Sequence, residues 1–295
     1  MALGINTRRR PMMLQVSSEE PESKYIRFAD EIVESILMSK GISSDGVGIT
    51  KKDAEAVLKI PRNFFEKNSA ITSFDELVYF KNAQIDEFAF FECANLSSLD
   101  FSNVANIYEA TCLSCTNLQN VKGLKNAYSI GNHAFQNTAI NGDLILDNAT
   151  SIGWFAFANC IYLKRAYLKK TEIINGLYQE YLGCYGAFGN CINLTEIELP
   201  EIREIHDFAF WHTYALKKIF IGSKCASIGL GAFQGCRVDD FIIETAMPPS
   251  LQEYSLVDCT INNLYVPDGS VEAYKTAPYW SVYASSVRPL SEYQK

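Results

Sequence analysis

One unit recurs along this chain at steps of 22 or 23 residues, and that recurrence constrains the fold more than any other feature. Its register shows in a slot filled in turn by Phe90, Cys112, Phe135, Phe157, Phe188, Phe210, Phe233 and Leu256. Five residues earlier stand Ile85, Ile107, Ile130, Ile152, Gly183, Ile205, Ile228 and Leu251. One residue earlier stand Ala89, Thr111, Ala134, Ala156, Ala187, Ala209, Ala232 and Ser255. Three residues later stand Cys93, Cys115, Thr138, Cys160, Cys191, Thr213, Cys236 and Cys259. A unit of about 22 residues cannot bury its own apolar side, so such units are stable only when stacked around a shared column.

The phenylalanines supply area to that column, and the small residue before each lets neighbouring coils approach. The stretches ending Leu96-x-x-Leu99-x-Phe101, Leu194-x-x-Ile197-x-Leu199 and Leu216-x-x-Ile219-x-Ile221 alternate with period two. They read as short strands with alternate side chains inward. Eight of them at about 4.8 Å spacing give a parallel sheet roughly 35–40 Å long. The Ala-Phe stretch is expected to form a turn of α- or 3₁₀-helix on the opposite wall.

The unit Ile-x-x-x-Ala-Phe-x-x-Cys-x-x-Leu, as in residues 85–96 and 152–163, resembles the BspA-like leucine-rich repeat. The resemblance covers residues 81–266, about eight repeats. It implies an α/β repeat fold: a right-handed solenoid with short parallel strands, a helical N-terminal cap and a C-terminal helical cap. It also implies adhesion or partner binding and supplies no catalytic residue. Segments around Phe28, around Phe80 and after Val266 resemble those that bracket such arrays.

Four regions follow. Residues 1–24 read as an arm, flexible or ordered by a partner. Residues 25–80 read as a helical capping region: Ala29 to Lys40 places Ile32, Val33, Ile36 and Leu37 on one face, with Gly41 as a stop. Thr50-x-x-Asp53 reads as a capping box opening a helix through Lys59, stopped by Pro61. Residues 81–266 hold the repeats. Residues 267–295 form the C-terminal cap, with Tyr279, Trp280 and Tyr283 expected to close the last coil. The one long step, 31 residues from Phe157 to Phe188, marks an insertion near 174–185 carrying Tyr178, Tyr181 and Tyr185. Insertions in such arrays emerge as loops on one face, where tyrosines suit contact with proteins or sugars.

Cysteine is the residue type that most invites a chemical reading. Six of the nine fall in the slot shared with Thr138 and Thr213, which asks for a small, mildly polar side chain rather than a metal or redox partner. Cys112 and Cys115 form a lone CxxC without the second pair a structural zinc needs. Cys184 and Cys225 stand outside the slot, and a Cys184–Cys191 bridge stays open. His133, His206 and His212 have no third ligand, and His206-Asp207 has no nucleophile in a matching context. Residues 42–53 align with a calcium loop only without its early carboxylates. Metal, cofactor and catalytic residues are therefore all read as none.

The net charge of −8 opposes a phosphate backbone, so nucleic acid is not expected as a partner. No run of about 18 apolar residues is present for membrane insertion, and no signal peptide is visible. The expected function is a non-enzymatic structural or binding protein whose repeat surface attaches to a protein or a surface glycan. The candidate contacts are the three insertion tyrosines with outward rows of Lys164, Arg165 and Tyr167, then Thr195, Glu196 and Glu198, then Lys217, Lys218 and Phe220. A phage virion component is the reading carried forward, with Arg8, Arg9 and Arg10 docking to other virion proteins. A bacterial or protist cell-surface adhesin is the alternative, and a glycan-processing enzyme stands third. The expected location is the virion or the cell surface.

Overall fold

The computed structural model describes residues 23–179, 183–252 and 254–294, and the side chains of residues 177–185 lie outside that description. Successive coils stack in a right-handed solenoid with three walls. The first wall carries the longer strands. Gly142–Leu146, Leu163–Leu168, Glu196–Leu199, Lys218–Ile221, Arg237–Ile243, Thr260–Val266 and Val287–Pro289 form a seven-stranded parallel sheet in sequence order. Upstream, Ser73–Phe74, Ser98–Asp100 and Asn120–Lys122 form a separate three-stranded sheet, so the wall is broken between Lys122 and Gly142. Alternation works as expected: Ile197, Leu199, Ile219 and Ile221 face inward and are fully buried.

The second wall was not expected. The isoleucines five residues before each phenylalanine pair with one another in two-residue strands, a parallel ladder running from Asn106–Ile107 to Ser250–Leu251. In it Ile174, not Gly183, pairs with Ile152 and Ile205. The extra residues therefore follow the isoleucine slot. They form an antiparallel hairpin, Gly176–Gln179 against Gly183–Gly186, in which Tyr178 opposes Cys184 and Leu177 opposes Tyr185. Lys59–Ile60 pairs with Gln84–Ile85 in the same manner, so a further coil begins inside residues 25–80.

The third wall is a chain of turns rather than a helix. Two residues before and two after the phenylalanine slot the backbone is left-handed: His133 and Asn137 (φ 55° and 58°), Phe155 and Asn159 (58° and 59°), Phe208 and His212 (56° and 56°). This alternation sends every second N–H along the stack. His133, Phe135 and Asn137 donate to the carbonyls of Trp154, Ala156 and Ala158 at 3.0, 2.8 and 3.0 Å. The intervening N–H groups close the turn on itself, as Ala134 does to Gly131 and Gln136 to His133. A helix would send all of them along its own chain and leave the coils unjoined. Asparagine tolerates the left-handed region, and Asn190 donates to Asn159, which donates to Asn137, at 2.7 and 2.8 Å.

Inside, phenylalanine lies on phenylalanine. Ring centroids are 5.4 Å apart for Phe135–Phe157, 5.3 Å for Phe157–Phe188 and Phe188–Phe210, and 5.1 Å for Phe210–Phe233. Phe65 continues the stack from the added coil, 5.5 Å from Phe90. Where Cys112 breaks it, Phe101 takes a position held elsewhere by Leu or Ile and meets Phe135 edge-on at 6.2 Å. Four of the slot cysteines make a close hydrogen bond to the coil before. Cys93, Cys115, Cys160 and Cys191 donate to the carbonyls of Phe65, Phe90, Phe135 and Phe157 in the preceding coil at 2.9–3.1 Å. Thr213 does the same to Phe188 at 3.2 Å.

The N-terminal cap is two short helices, Glu31–Ser39 and Lys51–Ala56. Val33 and Leu37 are buried against the first coil, whereas Ile32 is exposed. The Thr50 capping box is present, but its helix stops at Ala56 because Lys59 and Ile60 are taken by the strand ladder. At the other end Val271–Thr276 and the turn Trp280–Tyr283 close the column. Trp280 and Tyr274 are buried there, 5.4 Å apart, and Trp280 donates its indole N–H to Pro249 O at 2.9 Å. Tyr279 stays exposed.

Candidate binding surface

Parallel register lines up the outward side chains of the seven-stranded sheet in two rows. The first holds Asp143, Arg165, Glu196, Lys218, Asp240 and Asn263. Its charges are already paired. Arg165 donates twice to Asp143 at 2.9 and 2.7 Å, Lys218 donates to Glu196 at 2.7 Å, and Asn263 donates to Asp240 at 3.0 Å. Both cations are pushed above their ordinary pKa by these hydrogen bonds. The second row is apolar and aromatic, through Ile145, Tyr167, Phe220, Ile242 and Tyr265, with Glu198 among them and Arg288 at the end. Tyr167 is half-buried, and that burial pushes its hydroxyl up.

The chain's last segment converts this row into a hollow. After Val287–Pro289, a 3₁₀ turn at Leu290–Glu292 brings Leu290 and Tyr293 across the sheet face. Asp268 anchors it by accepting from Ser291 N at 3.0 Å, which holds its carboxyl below the usual range. Tyr293 meets Tyr265 edge-on at 4.9 Å. The hollow, about 570 Å³, is floored by Phe220 and Ile242, walled by Leu290 and Tyr293, and edged by Glu198, Lys218 and Glu244. Four of these were not among the residues expected from sequence. Ile242 follows from alternation in Arg237–Ile243, but Leu290 and Tyr293 reach the site only through the way the tail folds back.

Of the expected contacts, Arg165, Tyr167, Glu196, Glu198, Lys218 and Phe220 share this face. Lys164 and Lys217 head neighbouring strands, joined through Thr195, which donates to Lys164 O and accepts from Lys217 N, each at 2.8 Å. Both lysines are exposed and neither pairs with a carboxylate among the described residues. Tyr178 and Tyr185 lie on the hairpin strands with side chains outside the description. Tyr181, like Arg8, Arg9 and Arg10, lies outside the described residues altogether.

The remaining chemistry-bearing groups have structural partners. Eight cysteines are buried and free, Cys191 among them. Burial holds Cys160, Cys225 and Cys259 as thiols, their pKa pushed up to about 12. His133 stacks on Phe155, meets Trp154 edge-on and bonds Gln136. His212 stacks on Trp211 at 3.4 Å, and burial lowers its pKa. His206 sits 3.2 Å from Glu204, in a second hollow of about 410 Å³, where Asp207 is spent on the N–H of Leu230 at 2.8 Å. Asp45, the one carboxylate early in the calcium-like stretch, is taken by Lys24 and Tyr25, each at 2.8 Å. Among the described residues no three His, Cys, Asp or Glu side chains group as metal ligands.

The family model described as the BspA type leucine rich repeat region matches in six copies, over residues 53–164 and 167–281. The chain belongs to this family. Its first match begins ahead of the added coil at Ile60, in agreement with the strand pairing. A leucine-rich-repeat protein from Bacteroides ovatus has a similar solved structure, with a TM-score of 0.53 at 21% identity. The alignment covers 79% of this chain and spans 63% of that one. At that identity the likeness is one of fold. A leucine-rich cell surface protein from Faecalibacterium prausnitzii aligns at 16% identity over 79% of this chain and 76% of its own, with a TM-score of 0.34. An internalin from Listeria monocytogenes aligns at 11% identity over 91% and 96%, with a TM-score of 0.19. Among curated proteins none matches. The chain is thus a BspA-type leucine-rich-repeat solenoid.

Proposed function

We propose that this solenoid is an attachment protein whose working surface is the outward face of its seven-stranded sheet. The observation that carries the reading is the hollow floored by Phe220 and Ile242, beside which Lys218 is already paired with Glu196 and Arg165 with Asp143 along the sheet. Paired charges cost little further ordering on association, and an aromatic floor supplies area to a partner. Mixed signs along the row suit a shaped protein or a glycan rather than a polyanion. Lys164 and Lys217, exposed and without a carboxylate partner among the described residues, add two cations to the same surface.

The test is direct binding of the purified chain to a glycan array and to intact cells of the natural host. Phe220→Glu should weaken the strongest interaction tenfold or more while far-UV circular dichroism stays unchanged. Undiminished binding by this variant would remove the sheet face from consideration. The same reading expects the protein on an exterior surface, with the virion as first choice and Arg8, Arg9 and Arg10 as its docking end. Purified particles would then contain the chain by mass spectrometry and lose it when residues 1–22 are deleted. Particles without it, from cells whose envelope fraction contains it, would instead support the adhesin reading.

A further inference from the structure

We propose that the C-terminal end of the turn wall is a second binding site, which takes an extended segment of a partner polypeptide onto the main-chain N–H groups of Leu256 and Asp258. The site lies beyond the sheet face proposed above and shares no residue with it.

The argument starts from the ladder that joins the turns. In the seven coils from Phe90 to Phe233 the N–H groups of the phenylalanine slot and of the residue two further on donate to two carbonyls, themselves two residues apart, in the next coil. Phe210 and His212 donate to Ala232 and Gln234 at 2.8 and 3.1 Å. Phe233 and Gly235 donate to Ser255 and Val257, both at 3.2 Å. Leu256 and Asp258 occupy these positions in the last coil. Asp258 keeps the left-handed backbone of its equivalents, with φ 54°. No coil follows.

The C-terminal cap completes only half of the missing coil's work. A slot carbonyl such as that of Phe90 or Phe157 receives a thiol from the coil above. The carbonyl of Leu256 receives the Tyr283 hydroxyl instead, at 3.1 Å, and the same hydroxyl reaches Cys259 O at 3.0 Å. The donors are not served. Neither the Leu256 nor the Asp258 N–H meets an acceptor among the described residues. Leu256 is only 8% exposed. A backbone donor at so sheltered a position is normally paired, whereas Asp258 is exposed.

A hollow of about 310 Å³ stands in front of them, with Tyr254, Tyr279 and Val282 on its lip, all exposed. An extended chain presents carbonyls two residues apart along one edge and apolar side chains on alternate faces, which matches both the donor spacing and the lip. A free anion fits less well, because the Asp258 carboxylate is at the mouth and the chain carries a net charge of −8.

The experiment follows the backbone amides of the ¹⁵N-labelled full chain by NMR. The probe is an acetylated, amidated octapeptide with the sequence of residues 206–213, whose Ala209 and Trp211 carbonyls already accept from Phe188 and Asn190 inside the array. Saturable shifts are expected at Leu256 and Asp258. Val282→Glu, at a side chain 77% exposed and so safe for folding, should weaken binding tenfold or more. Phe220→Glu should leave it unchanged. Four outcomes overturn the proposal: no saturable shift at either amide, full affinity in Val282→Glu, equal loss in Phe220→Glu, or shifts that follow protein concentration without peptide. The last would assign the hollow to a second copy of the chain.

Discussion

At the residue scale, the interchange of cysteine and threonine in one slot has a specific cause. Both are small donors to a phenylalanine carbonyl: Cys191 and Thr213 reach that of the coil before, and Thr138 reaches Phe135 O of its own coil at 2.8 Å. Cys191→Thr should therefore stay within about 1 kcal/mol of the parent, as Thr213 already shows the geometry to be workable. Cys191→Val keeps the volume and loses the donor to Phe157 O, which should cost about 1 kcal/mol more. Urea midpoints of the two variants separate these effects, and equal midpoints would reduce the slot to packing alone. The same burial gives a pH dependence. Cys160, Cys225 and Cys259 titrate near 9 when free and near 12 in the fold. Below 9 both states hold the proton and the stabilisation is complete. As pH climbs from 9 towards 12 the unfolded chain releases protons that the folded one keeps, so stability falls across that window. Chemical denaturation at pH 8, 9.5 and 11 should show a progressive loss, smaller when the three are replaced by alanine or threonine in a folded variant.

At the element scale, the Asp30 carboxylate fastens the N-terminal cap together with Glu76, which accepts from Ala29 N at 2.9 Å. Asp30 accepts from Ile32 N at 2.9 Å, starting the Glu31–Ser39 helix, and from Thr72 N and Oγ1 at 2.5 and 2.9 Å, tying that helix to the first coil. Burial alone would raise its pKa, but the Thr72, Ile32 and Ser73 donors together hold it below the ordinary value. Asp30→Ala removes a helix cap and strands the Thr72 donors, for an expected loss of about 2–4 kcal/mol in urea unfolding. A loss under about 0.5 kcal/mol would mean that the cap is held by Val33 and Leu37 alone. Periodicity revealed the column, because Phe157 and Cys160 each repeat at fixed spacing. It did not reveal the second ladder, since two residues such as Ser151–Ile152 are too few to display alternation. The coil at Ile60 was hidden by a 25-residue step to Phe90 and by the helix-like run before Pro61. Left-handed positions at His133 and Phe155 disguised the turn wall, because bulky residues rarely adopt that backbone. The binding hollow was half legible: Phe220 is fixed by its own strand, but Tyr293 is placed by a fold-back that no local pattern encodes.

At the scale of the whole molecule, the solenoid is a sum of near-neighbour contacts, so an insertion matters only where it interrupts a ladder. The hairpin interrupts none. Phe157 and Phe188 stack at 5.3 Å across the 31-residue step, as closely as Phe188 and Phe210 do across 22. Ile174 still pairs with Ile152 and Ile205, and Phe157 N still donates to Ala187 O at 2.7 Å. Removal of the nine residues 176–184 would leave Ile174-Asn175-Tyr185-Gly186-Ala187-Phe188 contiguous, the same pattern as Ile228-Gly-Leu-Gly-Ala-Phe233. The deletion variant should fold cooperatively, with a melting temperature within a few degrees of the parent, since a change of about 1 kcal/mol moves Tm by only ~2–4 °C in a chain of this size class. A molten or aggregated product would show that the hairpin supports its neighbours. A folded product gives the means to ask whether Tyr178 and Tyr181 contact the partner. If they do, the variant keeps its Tm and loses binding, and the sheet face alone does not account for attachment.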